Sequence, residues 1–212
     1  MRQSNKKRGR FEEALIESVK DFFQKRGYSV STHARLNIAW SNIISDIDII
    51  ATLKDEVIIT EIKSDHDHFY RAFEQLRRVK CFANKLYIAT NRRPENLNLS
   101  EWEDHTIGLL NVRDKKVDVI KSAKNISSFP RGEALSKLKK KCLTKLGRLL
   151  DVPTYLPKKR IEQTLRSQFN EEDLKIIAKK IALCSEDCET DCILEPFLAL
   201  ACNSLKLKHS QI

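Results

Sequence analysis

The residues with the clearest chemical potential lie between Ser45 and Lys63, in the segment SDIDIIATLKDEVIITEIK. Asp48 sits on one apolar run and Glu61 and Lys63 on the next, and the short polar stretch between them predicts two strands joined by a tight turn. Side chains along a strand alternate between faces, so Glu61 and Lys63 share one face while Ile58, Thr60 and Ile62 share the other. Ile47, Ile49 and Ile50, then Val57, Ile58 and Ile59, form nearly continuous apolar runs, the pattern of strands covered on both sides. A charge at the end of such a strand is costly to bury alone. Two carboxylates that share a cation reduce that cost, and two carboxylates completed by water suit a hard ion such as Mg²⁺. A lysine on the face of Glu61 would orient or deprotonate an attacking water, or stabilise developing negative charge. That is the chemistry of phosphodiester hydrolysis.

Asp48, followed thirteen residues later by Glu61-Ile62-Lys63, resembles the signature of the PD-(D/E)XK nuclease superfamily, with Ile47 standing where the family name has proline. The resemblance runs from Phe11 to Ala89 and is nearest the Holliday-junction-resolvase-like and Mrr-like branches. It implies a restriction-endonuclease-like α/β fold, a mixed β-sheet flanked by helices. It also implies Mg²⁺ as cofactor, replaceable by Mn²⁺, with no small-molecule cofactor. Asp48, Glu61 and the backbone carbonyl of Ile62 would bind the metal, and Lys63 would position the water. The superfamily often adds a glutamate near the start of its first helix; FEEALIESV is similar, and the role passes to Glu12 ahead of Glu13. Gln75, on the helix after E-x-K, matches an auxiliary glutamine of these branches. Members are commonly homodimers acting on DNA, and small archaeal-virus nucleases look similar in size, basicity and helical tail.

Composition agrees with an anionic partner. Among 212 residues, Lys and Arg number 39 against 29 Asp and Glu, a formal net charge of +10, which favours nucleic acid ahead of a membrane surface. The same charge is also compatible with a merely basic, soluble protein. A hydrophobic content of 41% is enough for a proper core. No apolar run approaches the roughly 18–20 residues needed to span a bilayer, and MRQSNKKRGR is not followed by a signal-peptide apolar region. The expectation is a cytoplasmic protein with no membrane partner.

The supporting elements follow from periodicity. The basic stretch before Phe11 reads as a disordered arm or solvated tail. Phe11 to Arg26 reads as an amphipathic helix stopped by Gly27, with Phe11, Leu15, Val19 and Phe22 on one arc and Glu12 inside that arc. A strand begins at Tyr28, and Ser31 to Ile44 is either its continuation or a loop; His33 reads as structural or exposed. Asp46 shares a face with Asp48 and reads as an edge acid. Ser64 to His68, SDHDH, reads as a polar loop bordering the site. Phe69 to Asn84 has helical period with Arg71, Arg77, Arg78 and Lys80 on its polar side, and KLYIAT (85–90) is a buried strand reached by a parallel crossover. Ile107 to Val112 and Val117 to Ile120 form a hairpin around RDKK.

A boundary at Phe129 to Gly132 separates a nuclease core, residues 1–130, from a helical C-terminal region, residues 131–212. Helices are expected over Glu133–Leu150, Lys158–Phe169, Glu171–Cys184 and Ile193–Leu205. The first is rich in lysine and suits either phosphate contact or a solvated face. Six cysteines lack a C-x-x-C pair, so neither a zinc site nor a disulfide pattern follows from them.

These readings converge on a Mg²⁺-dependent DNA endonuclease, structure-selective or junction-resolving. The alternatives are a non-catalytic DNA-binding protein that retains the fold and a nuclease acting on RNA.

Overall fold

In the computed structural model, the described residues are 2–34, 47–54, 56–65, 67–93, 102, 104–126, 136, 138–149, 152–153 and 155–168. They fall into two compact units, the first ending by residue 128 and the second holding the C-terminal helices.

The first unit opens with helix α1 (Arg2–Gln24), followed by strands β1 (Ser29–Ala34), β2 (Ile47–Leu53) and β3 (Glu56–Lys63). Helix α2 (Phe69–Val79) runs into a short 3₁₀ turn, Lys80–Phe82, before β4 (Lys85–Thr90), and β5 (Gly108–Arg113) and β6 (Lys116–Lys121) complete the unit. The six strands form one sheet in chain order. β1, β2 and β3 are antiparallel neighbours, β3, β4 and β5 are parallel, and β6 returns antiparallel to β5. The result is a mixed, open sheet flanked by helices.

The apolar arc of α1 buries Leu15, Ile16, Val19 and Phe23 against Ile49, Ala51, Ile58, Ile62, Ala89, Leu110 and Val112. Each such side chain contributes roughly 1.5–3 kcal/mol when fully buried, more than any intrinsic helix preference. By alternation, Val57, Ile59, Leu86 and Ile88 face the other way. All four are buried, and α2, which packs on β3, turns Ala72, Phe73, Leu76 and Val79 inward.

The helix boundaries differ from the sequence expectation in informative ways. Residues 2–10 belong to α1 rather than to an arm, because Lys, Arg and Gln are good helix formers and extending an existing helix needs no new nucleus. The helix stops at Gln24, not Arg26, through a left-handed glycine. Gly27 has φ +85, its N–H donates to Gln24 O at 2.9 Å, and the Tyr28 N–H donates to Phe23 O at 3.2 Å. That is a Schellman closure, completed by the Phe23 and Tyr28 rings at 5.7 Å. Glu12, expected on the core-facing arc, is exposed, as are Glu13 and Ala14 beside it; helical angle alone does not show how deep a position sits.

The β5–β6 hairpin turns through Asp114 and Lys115, both left-handed at φ 47 and 63. Two successive positive φ values match the twist of a two-residue hairpin.

In the second unit, α3 (Lys140–Leu149) and α4 (Lys158–Gln168) pack together. Leu138, Cys142, Leu143, Ile161 and Leu165 are fully buried. The helix expected from Glu133 is described only from Lys140. The helices expected over 171–184 and 193–205, and the four cysteines from Cys184 onward, lie outside the described residues. Cys81 and Cys142 are buried thiols. No helix among the described residues is long and apolar enough to cross a membrane.

Gly108 is the most closely packed of the described glycines. A Cβ there would lie 2.4 Å from Tyr87 Cε1 and 2.6 Å from the Ala123 backbone nitrogen, and backbone cannot move aside as a side chain can. Gly108→Ala should lower unfolding stability by about 1–3 kcal/mol or more, read as a lower urea midpoint. An unchanged midpoint would show that this packing is not as close as described.

Candidate functional site

The β2–β3 ladder decides the geometry. Ile49 pairs with Thr60 and Ile50 with Ile59, so continuing that register by one step sets Asp48 opposite Glu61. Directly opposed residues share a face, so Asp48, Glu61 and Lys63 all lie on the side of the sheet away from α1. At this point the ladder gives way to a side chain, because the Ile62 N–H donates to Asp48 Oδ2 at 2.7 Å. A residue that faces its antiparallel neighbour presents both N–H and C=O to it, so the Ile62 carbonyl is directed to the same side as its N–H. Lys63 Nζ donates to Glu61 Oε1 at 2.6 Å, with the two side chains only 11% and 5% exposed.

The electrostatics follow from this crowding. Burial pushes Glu61 up to about 7, and the Asp48 charge adds to the rise while Lys63 and Arg71 oppose it. Burial likewise raises Asp48; the Ile62 N–H, Lys63 and His33 oppose the rise and Glu12 reinforces it. Glu12 therefore lies within electrostatic reach of Asp48 from its exposed place on α1. Glu13 is instead engaged by His33, with Nε2 and Oε1 3.2 Å apart.

Two carboxylates thus lie beside one amine, with the charge of Glu12 within electrostatic reach of Asp48. When all are ionised the group is short of positive charge, and a divalent cation of the Mg²⁺ kind fits that deficit. Asp48 Oδ2 and Glu61 Oε1 are engaged by the Ile62 N–H and Lys63 Nζ, and the other oxygen of each carboxylate, with the Ile62 carbonyl, could supply hard oxygen donors to such an ion. Among the described residues, no three His, Cys, Asp or Glu side chains are close enough to enclose a metal by themselves. Mg²⁺ typically binds through one or two carboxylates, with water and substrate phosphate completing the shell, so the pair is sufficient.

Other sequence candidates are placed as follows. Gln75 is half-buried on α2, beside the buried stripe. His33 occupies a gap in the β1–β2 ladder between the Thr32–Ile49 and Ala34–Ile47 pairs, opposite Asp48, with φ 49. Non-glycine residues at positive φ cluster where the surrounding structure imposes them. Asp46 lies outside the described residues.

The loop after Lys63 has its own anchor, which sequence reading did not find. Asp67 Oδ2 accepts from the Ser64 N–H at 2.9 Å and from the Ser64 hydroxyl at 2.6 Å. Arg92 donates to the carbonyls of Asp65 and Asp67 at 3.1 and 2.6 Å, and its guanidinium lies 4.6 Å from the Phe69 ring centre. The backbone of Arg92 is held in turn by buried Asn111, whose amide donates to Arg92 O at 2.6 Å and to Thr90 O at 3.2 Å. A polar Asn in the apolar run GLLNV was the available signal, since a buried amide must find partners.

No protein-family model matches the chain, and no curated protein matches it. A solved structure, a protein of unknown function from Silicibacter pomeroyi, is similar at 16% identity and a TM-score of 0.43, covering 66% of this chain and 91% of that one.

Because Glu61 holds its proton more tightly folded than unfolded, its contribution to stability is complete below pH 4.5 and is lost as pH rises through about 7. In EDTA, unfolding free energy should fall over that window by on the order of 1–3 kcal/mol. Glu61→Gln should remove most of the slope. A flat profile in the parent protein would contradict the assigned environment of Glu61.

Proposed function

We propose that the chain is a metal-dependent DNA endonuclease of the PD-(D/E)XK superfamily, with a restriction-endonuclease-like fold. The observation that carries this reading is the placement of Asp48 opposite Glu61 on adjacent strands, with Lys63 Nζ 2.6 Å from Glu61. The net charge of +10 supports a polyanionic substrate.

A bound Mg²⁺ would neutralise charge at the scissile phosphate and make a nearby water more acidic. Asp48 and Glu61 would hold that ion with the Ile62 carbonyl. A cation there would offset the repulsion that adds to the effect of burial at Glu61, so binding and ionisation would reinforce each other. Lys63 donates to Glu61 and would be placed to donate to the attacking water or the developing phosphate charge. Glu12 adds negative charge at the rim of the site, and Gln75 offers an amide from α2. Arg92 and Asn111 fix the loop that leaves Lys63.

On this reading the substrate is DNA with a junction or other branched structure, cleaved by a homodimer whose two-fold symmetry matches paired cuts. The protein acts in the cytoplasm. The branch resemblance supports the junction assignment.

The test is incubation with linear, nicked, single-stranded and four-way-junction DNA, with Mg²⁺ and with EDTA. Cleavage should require the metal, and Lys63→Ala should reduce it by about 10²-fold or more while leaving DNA affinity within about twofold. Retained cleavage by Lys63→Ala would remove Lys63 from the mechanism. DNA binding with no metal-dependent cleavage of any substrate would favour a non-catalytic binding protein instead.

A further inference from the structure

At the end of the sheet that carries Glu61 and Lys63, α1 and the β5–β6 turn border a cavity of about 600 Å³. Ser18 lines it from α1, Asn91 and Arg93 from the segment after β4, and Arg113, Asp114 and Lys115 from the hairpin. Arg93 and Lys115 bring two cations to a lining whose carboxylate is Asp114, so the lining favours an anion. Arg93 and Lys115 are exposed, and the two left-handed residues Asp114 and Lys115 give the turn a defined shape. Asn91 Oδ1 is buried with no hydrogen-bond partner among the described residues. Its amide can present either oxygen or NH₂ after rotation, and so can meet a sugar hydroxyl or a phosphate oxygen. Arginine favours phosphate through paired, coplanar donors. Among the described residues the lining holds no aromatic ring, so a base has no surface on which to stack. The recognised group is the phosphate.

The position of the cavity links it to the site above. Thr90 pairs with Lys63 on one side and with Asn111 on the other, so Asn91 follows the strand neighbour of Lys63 by a single residue. Strands lie about 4.8 Å apart, which puts the cavity two strand steps away and on the α1 side of the sheet, roughly 10–15 Å from the carboxylates. At about 3.4 Å of helix axis per nucleotide of one strand, and more along the strand itself, that distance corresponds to a few nucleotides.

We propose that this cavity is a backbone-phosphate site that holds a DNA strand a few nucleotides from the bond addressed by Asp48, Glu61 and Lys63. The inference rests on the nuclease reading for its substrate, but phosphate binding can be measured without cleavage.

The experiment compares the full-length parent with R93Q/K115Q and with K25Q/K54Q, by fluorescence anisotropy of a labelled DNA duplex in EDTA over a salt series. Lys25 and Lys54 are exposed residues at the far end of the sheet, and their replacement removes the same charge. R93Q/K115Q should weaken binding about tenfold and reduce the slope of log K against log salt by about two, while K25Q/K54Q should stay within about twofold. Equal losses in the two variants, or no loss in R93Q/K115Q, would overturn the phosphate site. So would displacement of inorganic phosphate by this double change with no effect on DNA, which would mark a small-anion site. Parallel cleavage assays on the parent keep the two claims apart. Selective loss of affinity without any cleavage supports the phosphate site and removes the nuclease reading, and cleavage with unchanged affinity does the reverse.

Discussion

Two carboxylates drawn out of water side by side repel each other, and the rest of the first unit is arranged around that repulsion. Asp48 and Glu61 meet at the end of the β2–β3 ladder, where one amine and one backbone N–H bond to them and Arg71 and His33 act from further off. Glu61 consequently rises to about 7 through burial and the neighbouring charge. The ion pair with Lys63 lowers the cost of this arrangement without balancing it, because Glu12 adds a third negative charge nearby. A stability-driven sheet would place apolar residues at these positions, since well-packed hydrophobic replacements for a buried ion pair are often neutral or stabilising. The retained charge is intelligible as a receptor for a cation.

The remainder of the fold keeps those groups from relaxing apart. α1 locks one face of the sheet through Leu15, Ile16, Val19 and Phe23, and α2 covers the other, so β3 is clamped from both sides and its side-chain register cannot slip without inverting every residue. The change from antiparallel to parallel pairing at β3 also matters. It brings the C-terminal ends of β3, β4 and β5 to one edge, where Lys63, Arg92 and Arg113 all emerge. Asn111 and Arg92 then connect β5 to the loop after Lys63 through partly buried hydrogen bonds. Polar chemistry is therefore concentrated at a single end of an otherwise apolar sheet.

Much of this was legible in the residues themselves. The alternation of TEIK along β3, the apolar runs of β2, β3 and β4, and the turn residues of the β5–β6 hairpin carry strong local signals, and the α/β architecture with a mixed sheet and flanking helices follows from them. Features that depend on depth or on distant partners were less accessible. Helical angle put Glu12 on the packed arc, but the residue is exposed. His33 read as an isolated histidine because its relation to Asp48 exists only once β1 and β2 are paired. Arg92 lies just after β4 and Asn111 on β5, nineteen residues apart, and no spacing rule connects them. The basic N-terminal stretch read as an arm because its charge was weighed above its helix-forming side chains.

The account turns on a divalent ion between Asp48 and Glu61, and the most direct test is a crystal of the protein soaked in Mn²⁺ at pH 8 and examined by anomalous diffraction. It predicts one strong peak at about 2.0–2.3 Å from an oxygen of each carboxylate, with Lys63 Nζ moved off Glu61. The absence of a peak there, with the Lys63–Glu61 pair intact, would contradict it.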